Sequence, residues 1–379
     1  FAQQIRLTPA VRVQPGFDEV ELSWDNLSRH LKAIADGFAK LSGGLDDIAG
    51  QFDVEDGEDL KLTLASNGRS LEETRLNLDG IILDPDSAMI YWVEVFKERI
   101  SLHAAPLHVG PLVHKNIFEA LETVILTSAT LRTAGPDASE EANFTYIRDR
   151  LYAHDVDELA VGSPFDYKNS TLLYLVTDIP EPNQPGYQRM LEEAIVDVAV
   201  ALGGRTMVLF TAYSQLSQTA KAITGPLADV GITTLAQSSG GSRQQLLDQF
   251  KQPDSRAVLL GTRSFWEGVD VPGEALQAVV IAKLPFDVPS DPIFAARSET
   301  FDNAFFEYSV PEAVLRFRQG FGRLNRRQTD EGVVIILDKR VITKRYGQLF
   351  IDALPECTVL RQRRDRVGEL TVRWLNRNR

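Results

Sequence analysis

The sequence predicts an α/β fold in which helices flank a parallel sheet and a helical region precedes it. From residue 166 onward, short apolar strands alternate regularly with amphipathic helices. Strands without interior polar residues are typical of parallel sheets covered on both faces. Residues 1–80 are acidic and have the apolar spacing of helices, and residues 81–165 contain only part of an α/β pattern. We therefore expect three domains: 1–80, 81–165 and 166–379.

The first predicted element is an amphipathic helix over residues 26–45. The apolar residues at helical spacing are Leu27, Leu31, Ile34, Phe38 and Leu41. Two glycines, Gly43 and Gly44, are expected to end this helix. A second helix is predicted around residues 69–80. Strands are predicted at 88–96 and 100–107, and a third at 123–131 (TVILTSATL) that runs into a turn.

Six strands are predicted in the third domain. They are TLLYLVT (171–177), TMVLFT (206–211), GITTLA (231–236), AVLLGT (257–262), AVVIAKL (278–284) and GVVIILD (332–338). Helical patterns such as 187–202 and 242–252 separate them. Parallel sheets bind ligands at the carboxyl ends of their strands, so the loops after Phe210, Leu260, Lys283 and Leu337 are candidate sites.

Charge is distributed unevenly along the chain, whose formal net charge is −13. Residues 1–126 carry 11 Lys and Arg against 21 Asp and Glu, whereas residues 316–379 carry 16 against 7. A basic segment on an acidic body can present a local phosphate-binding surface. Charge alone favours the simpler interpretation, a solvated basic helix face.

Several classes of protein are disfavoured by composition. No apolar run reaches the roughly 18 residues of a membrane span, and the amino terminus lacks a signal-peptide pattern. The single cysteine, Cys357, cannot form an internal disulfide, so a reducing cytoplasm is the expected compartment. The five histidines show no metal-ligand spacing, and no metal site is expected. Because the chain does not begin with methionine, we expect a fragment or processed product.

The stretch RFRQGFGRLNRRQ, residues 316–328, concentrates five arginines directly before a predicted strand. Within it, Gln319, Gly322, Arg323 and Arg326 form the pattern QxxGRxxR. Arg323 and Arg326 are three residues apart, so on a helix they project from one face. Two guanidinium groups beside an amide can bind phosphate oxygens in bidentate fashion and offset the charge that grows during phosphoryl transfer. The alternative is an exposed basic helix without such a role.

A second polar segment, GTRSFWEGVDVPG, follows the strand that ends at residue 261. Thr262 and Ser264 can bond phosphate oxygens, and Gly268 permits close approach of the backbone. Asp270 can accept a hydrogen bond from a sugar hydroxyl or an arginine. These side chains are typical of a nucleotide or nucleic-acid site.

Aromatic and hydroxyl side chains at these strand ends have competing interpretations. Phe265 and Trp266 could stack on a base, although burial in the core is favoured for adjacent aromatics after a strand. The strand VLFTAYSQL (208–216) ends in Thr211, Tyr213 and Ser214, where Ser214 could instead cap the following helix.

Taken in order, these segments resemble the helicases of the XPD/DinG type in superfamily two. VILTSATL, VLFTAYSQL, GTRSFWEGVDVPG and QGFGRLNRR resemble the third to sixth motifs, and SPFDY and KLPFDVPSDP resemble the segments beside them. The resemblance covers about residues 100–345. It implies RecA-like motor domains that use ATP with Mg²⁺ and translocate on single-stranded DNA.

The resemblance also assigns roles to individual residues. It implies that Gln319, Arg323 and Arg326 face the triphosphate, with the two arginines acting as fingers. The other implied residues are Glu267, Gly268, Asp270 and Gly322 for the nucleotide; Thr211, Tyr213, Ser214, Thr262, Arg263, Ser264 and Trp266 for DNA; and Ser128 and Thr130 for coupling between them.

The sequence departs from this family in what it lacks. It contains no GxxxxGK[ST] phosphate loop, no Asp-Glu-x-His motif and no cluster of cysteines for an iron–sulfur centre. We expect the carboxyl-terminal half of a helicase: an arch-like remnant, the end of the first motor domain and the whole second one. Alone it is expected to be inactive and to need the missing amino-terminal motor domain. The alternative is a non-hydrolytic nucleic-acid- or protein-binding module derived from a helicase.

Overall fold

The computed structural model describes residues 3–49, 56–128, 130–132, 144–161, 163–266, 271, 273–324, 327 and 329–377. Contacts within the chain divide it into two compact units. One unit comprises Phe1–Val109 and Val288–Thr300, and the other comprises Gly110–Asp287 and Phe301–Arg379. The three domains expected from the sequence stay a prediction.

The strands and helices are numbered in chain order. The strands are β1 Gln3–Arg6, β2 Met89–Phe96, β3 Arg99–Pro106, β4 Thr171–Val176, β5 Thr206–Leu209, β6 Thr233–Ala236, β7 Ala257–Gly261, β8 Ala278–Ile281, β9 Gly332–Ile336 and β10 Thr358–Gln362. The helices are α1 Pro9–Arg12, α2 Phe17–Ala49, α3 Gly57–Ile82, α4 Gly110–Val113, α5 Thr145–Leu151, α6 Tyr167–Ser170, α7 Tyr187–Leu202, α8 Tyr213–Ala228, α9 Arg243–Phe250, α10 Arg263–Trp266, α11 Pro292–Ser298, α12 Val310–Phe321, α13 Arg340–Thr343, α14 Gly347–Asp352 and α15 Val367–Leu375.

The first unit is built on the long helices α2 and α3. Both predicted helices are confirmed, but α2 continues through Gly43 and Gly44 instead of ending there. Neither glycine has the positive φ of a helix-ending glycine, so the helical backbone continues through both. The indole of Trp24 donates to Asp79 at 2.7 Å, which joins the two helices in a small core.

One face of α2 stays uncovered by the first unit. Five apolar residues recur on it every seven residues and are 46–60% exposed: Val20, Leu27, Ile34, Leu41 and Ile48. The unit also contains an antiparallel sheet in the order β1-β2-β3, in which β2 and β3 confirm two predicted strands. Helix α11 contributes Arg297, whose guanidinium donates to the carbonyl groups of Pro106 and Leu107.

The second unit contains a seven-stranded sheet in the order β10-β4-β9-β8-β5-β7-β6. Every neighbouring pair is parallel, and all six predicted strands are present. The carboxyl ends of the strands therefore meet at one edge. Helices α7 and α8 pack on one face, and α9 and α12 pack on the other, in two apolar cores.

Two details of this unit differ from the sequence-based expectations. Strand β10 was missed because it is a sheet edge whose exposed and partly buried residues alternate, so it lacks a continuous apolar run. The strand predicted at 123–131 is wrong: its described residues form no strand, and Ile125 is 84% exposed. An apolar segment forms a stable strand only when another strand pairs with it. Among the described residues, no helix combines the length and apolar character needed to cross a membrane.

Candidate functional site

The carboxyl edge of the parallel sheet brings two of the predicted polar loops side by side. Thr211 follows β5 and Thr262 follows β7. These two strands are direct neighbours, with Leu209 paired to Gly261 at the edge itself. The hydroxyl groups predicted from separate parts of the sequence therefore belong to one surface.

Helix α8 begins at this surface with an end that no side chain caps. Its N-cap is Ala212, which has no acceptor, and Tyr213 is its first residue. Ser214 is exposed and makes no capping bond, so the capping alternative predicted for it is wrong. The first N–H groups of a 16-residue helix are thus left to bind an external acceptor, and the helix dipole favours an anion there.

The loop after β7 is held by a residue that the sequence interpretation missed. The side-chain oxygen of Gln237 accepts from the backbone N–H of Thr262 at 2.9 Å and from its hydroxyl at 2.7 Å. The amide nitrogen of Gln237 donates to the hydroxyl of Ser264 at 3.3 Å. Gln237 follows β6, so its position after a predicted strand was the available signal.

The two aromatic residues of this loop lie in the core. Trp266 is 2% exposed, and its indole N–H donates to the carbonyl of Phe210 at 3.1 Å. Phe265 is fully buried beside it. Gly320 of α12 lies against the Trp266 ring so closely that a Cβ there would be 2.8 Å from two ring carbons. Burial supports the packing interpretation of both aromatics, and Trp266 presents no ring face to solvent.

Two arginines of the basic stretch have structural partners within the second unit. Arg316 is bonded to Asp287 at 2.5 Å and lies near Glu312, with 14% of its side chain exposed. Arg318 donates to the carbonyl of Arg132, and burial lowers the pKa of its guanidinium. Part of the positive charge gathered here therefore holds α12 in place.

The QxxGRxxR pattern lies at the end of α12. Arg323 is partly buried, and its Nε donates to the carbonyl of Gln319 at 3.1 Å. The side-chain oxygen of Gln319 is buried and accepts no hydrogen bond. Gly322 has a φ of −66°, which any residue can adopt. The predicted site residues Glu267, Gly268, Asp270 and Arg326 lie outside the described residues.

The residues predicted to couple the two sites lie close to each other before Arg132. The hydroxyl groups of Ser128 and Thr130 are 3.1 Å apart, and the backbone N–H of Thr130 donates to Ser128. Because the carbonyl of Arg132 accepts from Arg318, the chain just after these residues is held against α12.

A buried carboxylate, also missed from the sequence, joins the ends of β8 and β9. Asp338 is fully buried, accepts from the backbone N–H of Leu284 at 2.9 Å and pairs with Arg340 at 2.6 Å. It fixes the loop that carries Lys283. Within the described ranges, no group of three His, Cys, Asp or Glu side chains is arranged to hold a metal ion.

The chain is similar to known helicases over most of its length. Residues 195–357 match the family described as "Helicase C-terminal domain". A Bacillus subtilis protein named 3′-5′ exonuclease DinG is 37% identical over 305 residues, which cover 77% of this chain and 32% of that protein. An Escherichia coli protein named ATP-dependent DNA helicase YoaA is 34% identical over 303 residues, covering 79% and 45%.

A solved structure described as an XPD helicase has the same fold. It superposes with a TM-score of 0.51 at 16% identity and covers 84% of this chain and 55% of that one. The parallel sheet with flanking helices is therefore RecA-like. The chain spans 32% and 45% of the lengths of the two curated relatives above.

Proposed function

We propose that this chain supplies the second motor domain of an ATP-dependent DNA helicase. The chain belongs to the XPD/DinG-type helicases and carries their helicase C-terminal domain. In this proposal the whole protein translocates on single-stranded DNA, using ATP with Mg²⁺. The observation that carries the proposal is the meeting of the β5 and β7 loops at one sheet edge, beside the uncapped end of α8.

The DNA contact follows from the chemistry of that edge. A phosphodiester needs hydrogen-bond donors and positive potential, and it needs no particular base. The exposed hydroxyl of Ser214, the first N–H groups of α8 and the exposed Arg263 supply them. Gln237 fixes this loop at the same surface: it accepts the hydroxyl proton of Thr262 and donates to the hydroxyl oxygen of Ser264, so that the Ser264 proton is available to a phosphate oxygen.

The nucleotide contact is assigned to the end of α12. Arg323 is partly buried there, and its Nε donates to the backbone carbonyl of Gln319. In the proposal, Arg323 and Arg326 stabilise the charge that develops on the γ-phosphate once the cleft between two motor domains closes. Gly322, together with Glu267, Gly268 and Asp270, would line the same cleft.

Exposed apolar surface supports the presence of further polypeptide in the working protein. Ile125, Leu159 and Val161 are each at least 80% exposed, and the uncovered face of α2 adds five more apolar residues. Single exposed apolar residues are common on proteins, but a stripe such as the one on α2 is typical of a surface that packs against other polypeptide. The first motor domain would provide the phosphate loop and the Mg²⁺ ligands that this sequence lacks.

Substitution of Arg323 in the longer polypeptide tests the assignment. Loss of an arginine finger costs about 10³–10⁵ in the rate of phosphoryl transfer. We expect Arg323→Ala to reduce ATP turnover by at least that lower factor while single-strand affinity stays within about two-fold. Arg345→Ala, an exposed arginine in the same basic segment, is the matched control and should retain turnover. Turnover within ten-fold of wild type for Arg323→Ala would show that the finger assignment is wrong.

A second candidate is a non-hydrolytic nucleic-acid- or protein-binding module derived from a helicase. The missing GxxxxGK[ST] motif favours it. The two candidates differ at the gene: an upstream reading frame that encodes a phosphate loop supports the motor, whereas its absence supports the module.

A further inference from the structure

A pocket of about 550 Å³ lies at the amino edge of the parallel sheet in the second unit. Its lining comes from the residues just before β5, β8 and β9 and from the last turns of α7 and α15. The proposed DNA contact lies at the opposite edge, where β5 and β7 end. Pockets of this size typically hold small molecules.

Arg205 lines this pocket and has an unfavourable backbone conformation. Its φ is +48°, in the left-handed region that favours glycine and asparagine. The carbonyl of Arg205 accepts from the backbone N–H groups of Gln277 at 2.9 Å and Ala278 at 3.2 Å, so the start of β8 fixes this conformation. A glycine or an asparagine would fit the same backbone with less strain. The arginine side chain is therefore the unusual feature of this position, and strain of this kind is typical of functional sites.

Two arginine side chains at the pocket lack a partner within the described part of the chain. Neither the guanidinium group of Arg205 nor that of Arg327 makes a hydrogen bond or an ion pair with the described residues. The carboxylates that line the same pocket are bonded elsewhere. Asp330 accepts from the backbone N–H of Arg327 at 2.8 Å, and Glu331 lies 3.4 Å from Arg377. Since Arg205 is only partly buried and Arg327 is exposed, both guanidinium groups are accessible to an anion.

The remaining lining indicates what the anion is attached to. Leu202, Val372 and Leu375 supply apolar surface, and Thr329 and Asn376 supply a hydroxyl and an amide group. Guanidinium groups donate in bidentate fashion to phosphate, whose oxygens can accept from more than one arginine. An inorganic phosphate would leave the apolar surface uncovered. A molecule with both a phosphate and a larger apolar or flat part fits the whole pocket.

We propose that this pocket binds a free phosphorylated molecule of nucleotide size, with its phosphate held by Arg205 and Arg327 and its apolar part against α7 and α15. The inference goes beyond the proposed function and does not rest on it, because the pocket belongs to neither the DNA contact nor the QxxGRxxR pattern. It gives a role to Arg327, the one arginine of the stretch 316–328 to which neither the packing of α12 nor the proposed nucleotide contact assigns one.

The first test is calorimetric titration of the 379-residue chain with AMP, which carries one phosphate and a flat base. Arg205→Asn and Arg327→Gln should each weaken binding about ten-fold, because each removes a charge-assisted hydrogen bond. Arg345→Gln is the matched control, since Arg345 is an exposed arginine of the same unit outside the pocket, and it should keep wild-type affinity. Adenosine, which lacks the phosphate, should bind about ten-fold more weakly than AMP.

Thermal unfolding separates a ligand-binding role of Arg205 from a structural one. Asparagine tolerates a positive φ better than arginine does, so Arg205→Asn should keep or raise the unfolding midpoint while it weakens AMP binding. A lower midpoint would mean that the arginine stabilises the fold, and it would overturn the inference.

Three other results would also overturn the inference. The first is failure of the wild-type chain to bind AMP, or equal affinities of the Arg205, Arg327 and Arg345 variants. The second is loss of AMP binding in Arg323→Ala alone, because AMP would then occupy the end of α12. The third is displacement of AMP by a dT oligonucleotide, because the phosphate would then belong to a nucleic-acid backbone. AMP that stays bound in the presence of the oligonucleotide supports a site for a free phosphorylated molecule.

Discussion

Gly320 of α12 is packed closely against the core of the second unit. A Cβ at this residue would lie 2.8 Å from two carbons of the Trp266 ring and 3.2 Å from a methyl carbon of Leu209. Both neighbours are buried, and the Trp266 indole is held by its bond to the carbonyl of Phe210, so the ring cannot move away freely. Gly320→Ala should therefore force α12 away from the sheet.

The size of this effect follows from two opposing terms. Overpacking a buried site costs about 1–3 kcal/mol, and two contacts below 3.0 Å place this site in the upper part of that range. Alanine in a helix interior gains up to about 1 kcal/mol over glycine. We expect a net destabilisation of about 1–2 kcal/mol.

The assay is urea unfolding read by hydrogen exchange in peptides from β5 and β7, so that only the unit containing Gly320 is followed. Gly322→Ala is the matched control, because a Cβ there would be no closer than 3.4 Å to its neighbours and its φ is ordinary. Its stability should stay within about 0.5 kcal/mol of wild type. If Gly320→Ala is as stable as wild type, the packing argument is refuted.

Two further predictions concern buried groups of the second unit. Asp338→Ala leaves Arg340 and the backbone N–H of Leu284 without their partner, so it should destabilise the unit by about 3–5 kcal/mol in the same assay. The control Asp352→Ala removes an exposed carboxylate and should cost under about 0.5 kcal/mol. Equal costs for the two variants would contradict the structural role of Asp338. Burial raises the pKa of the Cys357 thiol from 9.0 to about 11, so its thiolate fraction at pH 8 falls roughly a hundred-fold. Iodoacetamide should label Cys357 at least ten-fold more slowly in the folded chain than in urea, and the labelling rate should rise as the pH approaches 11. Equal rates in the folded chain and in urea would show that the fold does not protect the thiol.

The central strands could be predicted from the sequence because each is a continuous apolar run bounded by turns. β10 could not, since an edge strand has one neighbour and its exposed side chains interrupt the run. The predicted end of α2 was wrong because a glycine ends a helix when it adopts a positive φ, and neither Gly43 nor Gly44 does so. The segment at 123–131 has a strand's composition, but pairing depends on a neighbour that the local sequence does not reveal.

The candidate site was predictable where function depends on residues at strand ends. Thr211 and Thr262 were found in this way, and the structure brings their loops together. Gln237 and Asp338 were not assigned roles, because their partners depend on the order of strands in the sheet. For Trp266 the motif predicted a ligand contact, but its indole packs against Gly320 instead.

The most direct test of the account is ATP hydrolysis by the purified 379-residue chain, with and without single-stranded DNA, alongside anisotropy for DNA binding. We expect salt-sensitive binding of the single strand and no hydrolysis above background, because this sequence contains neither a GxxxxGK[ST] nor an Asp-Glu-x-His motif. Hydrolysis by the chain alone that single-stranded DNA stimulates would contradict it, since a complete nucleotide site would then lie within these residues.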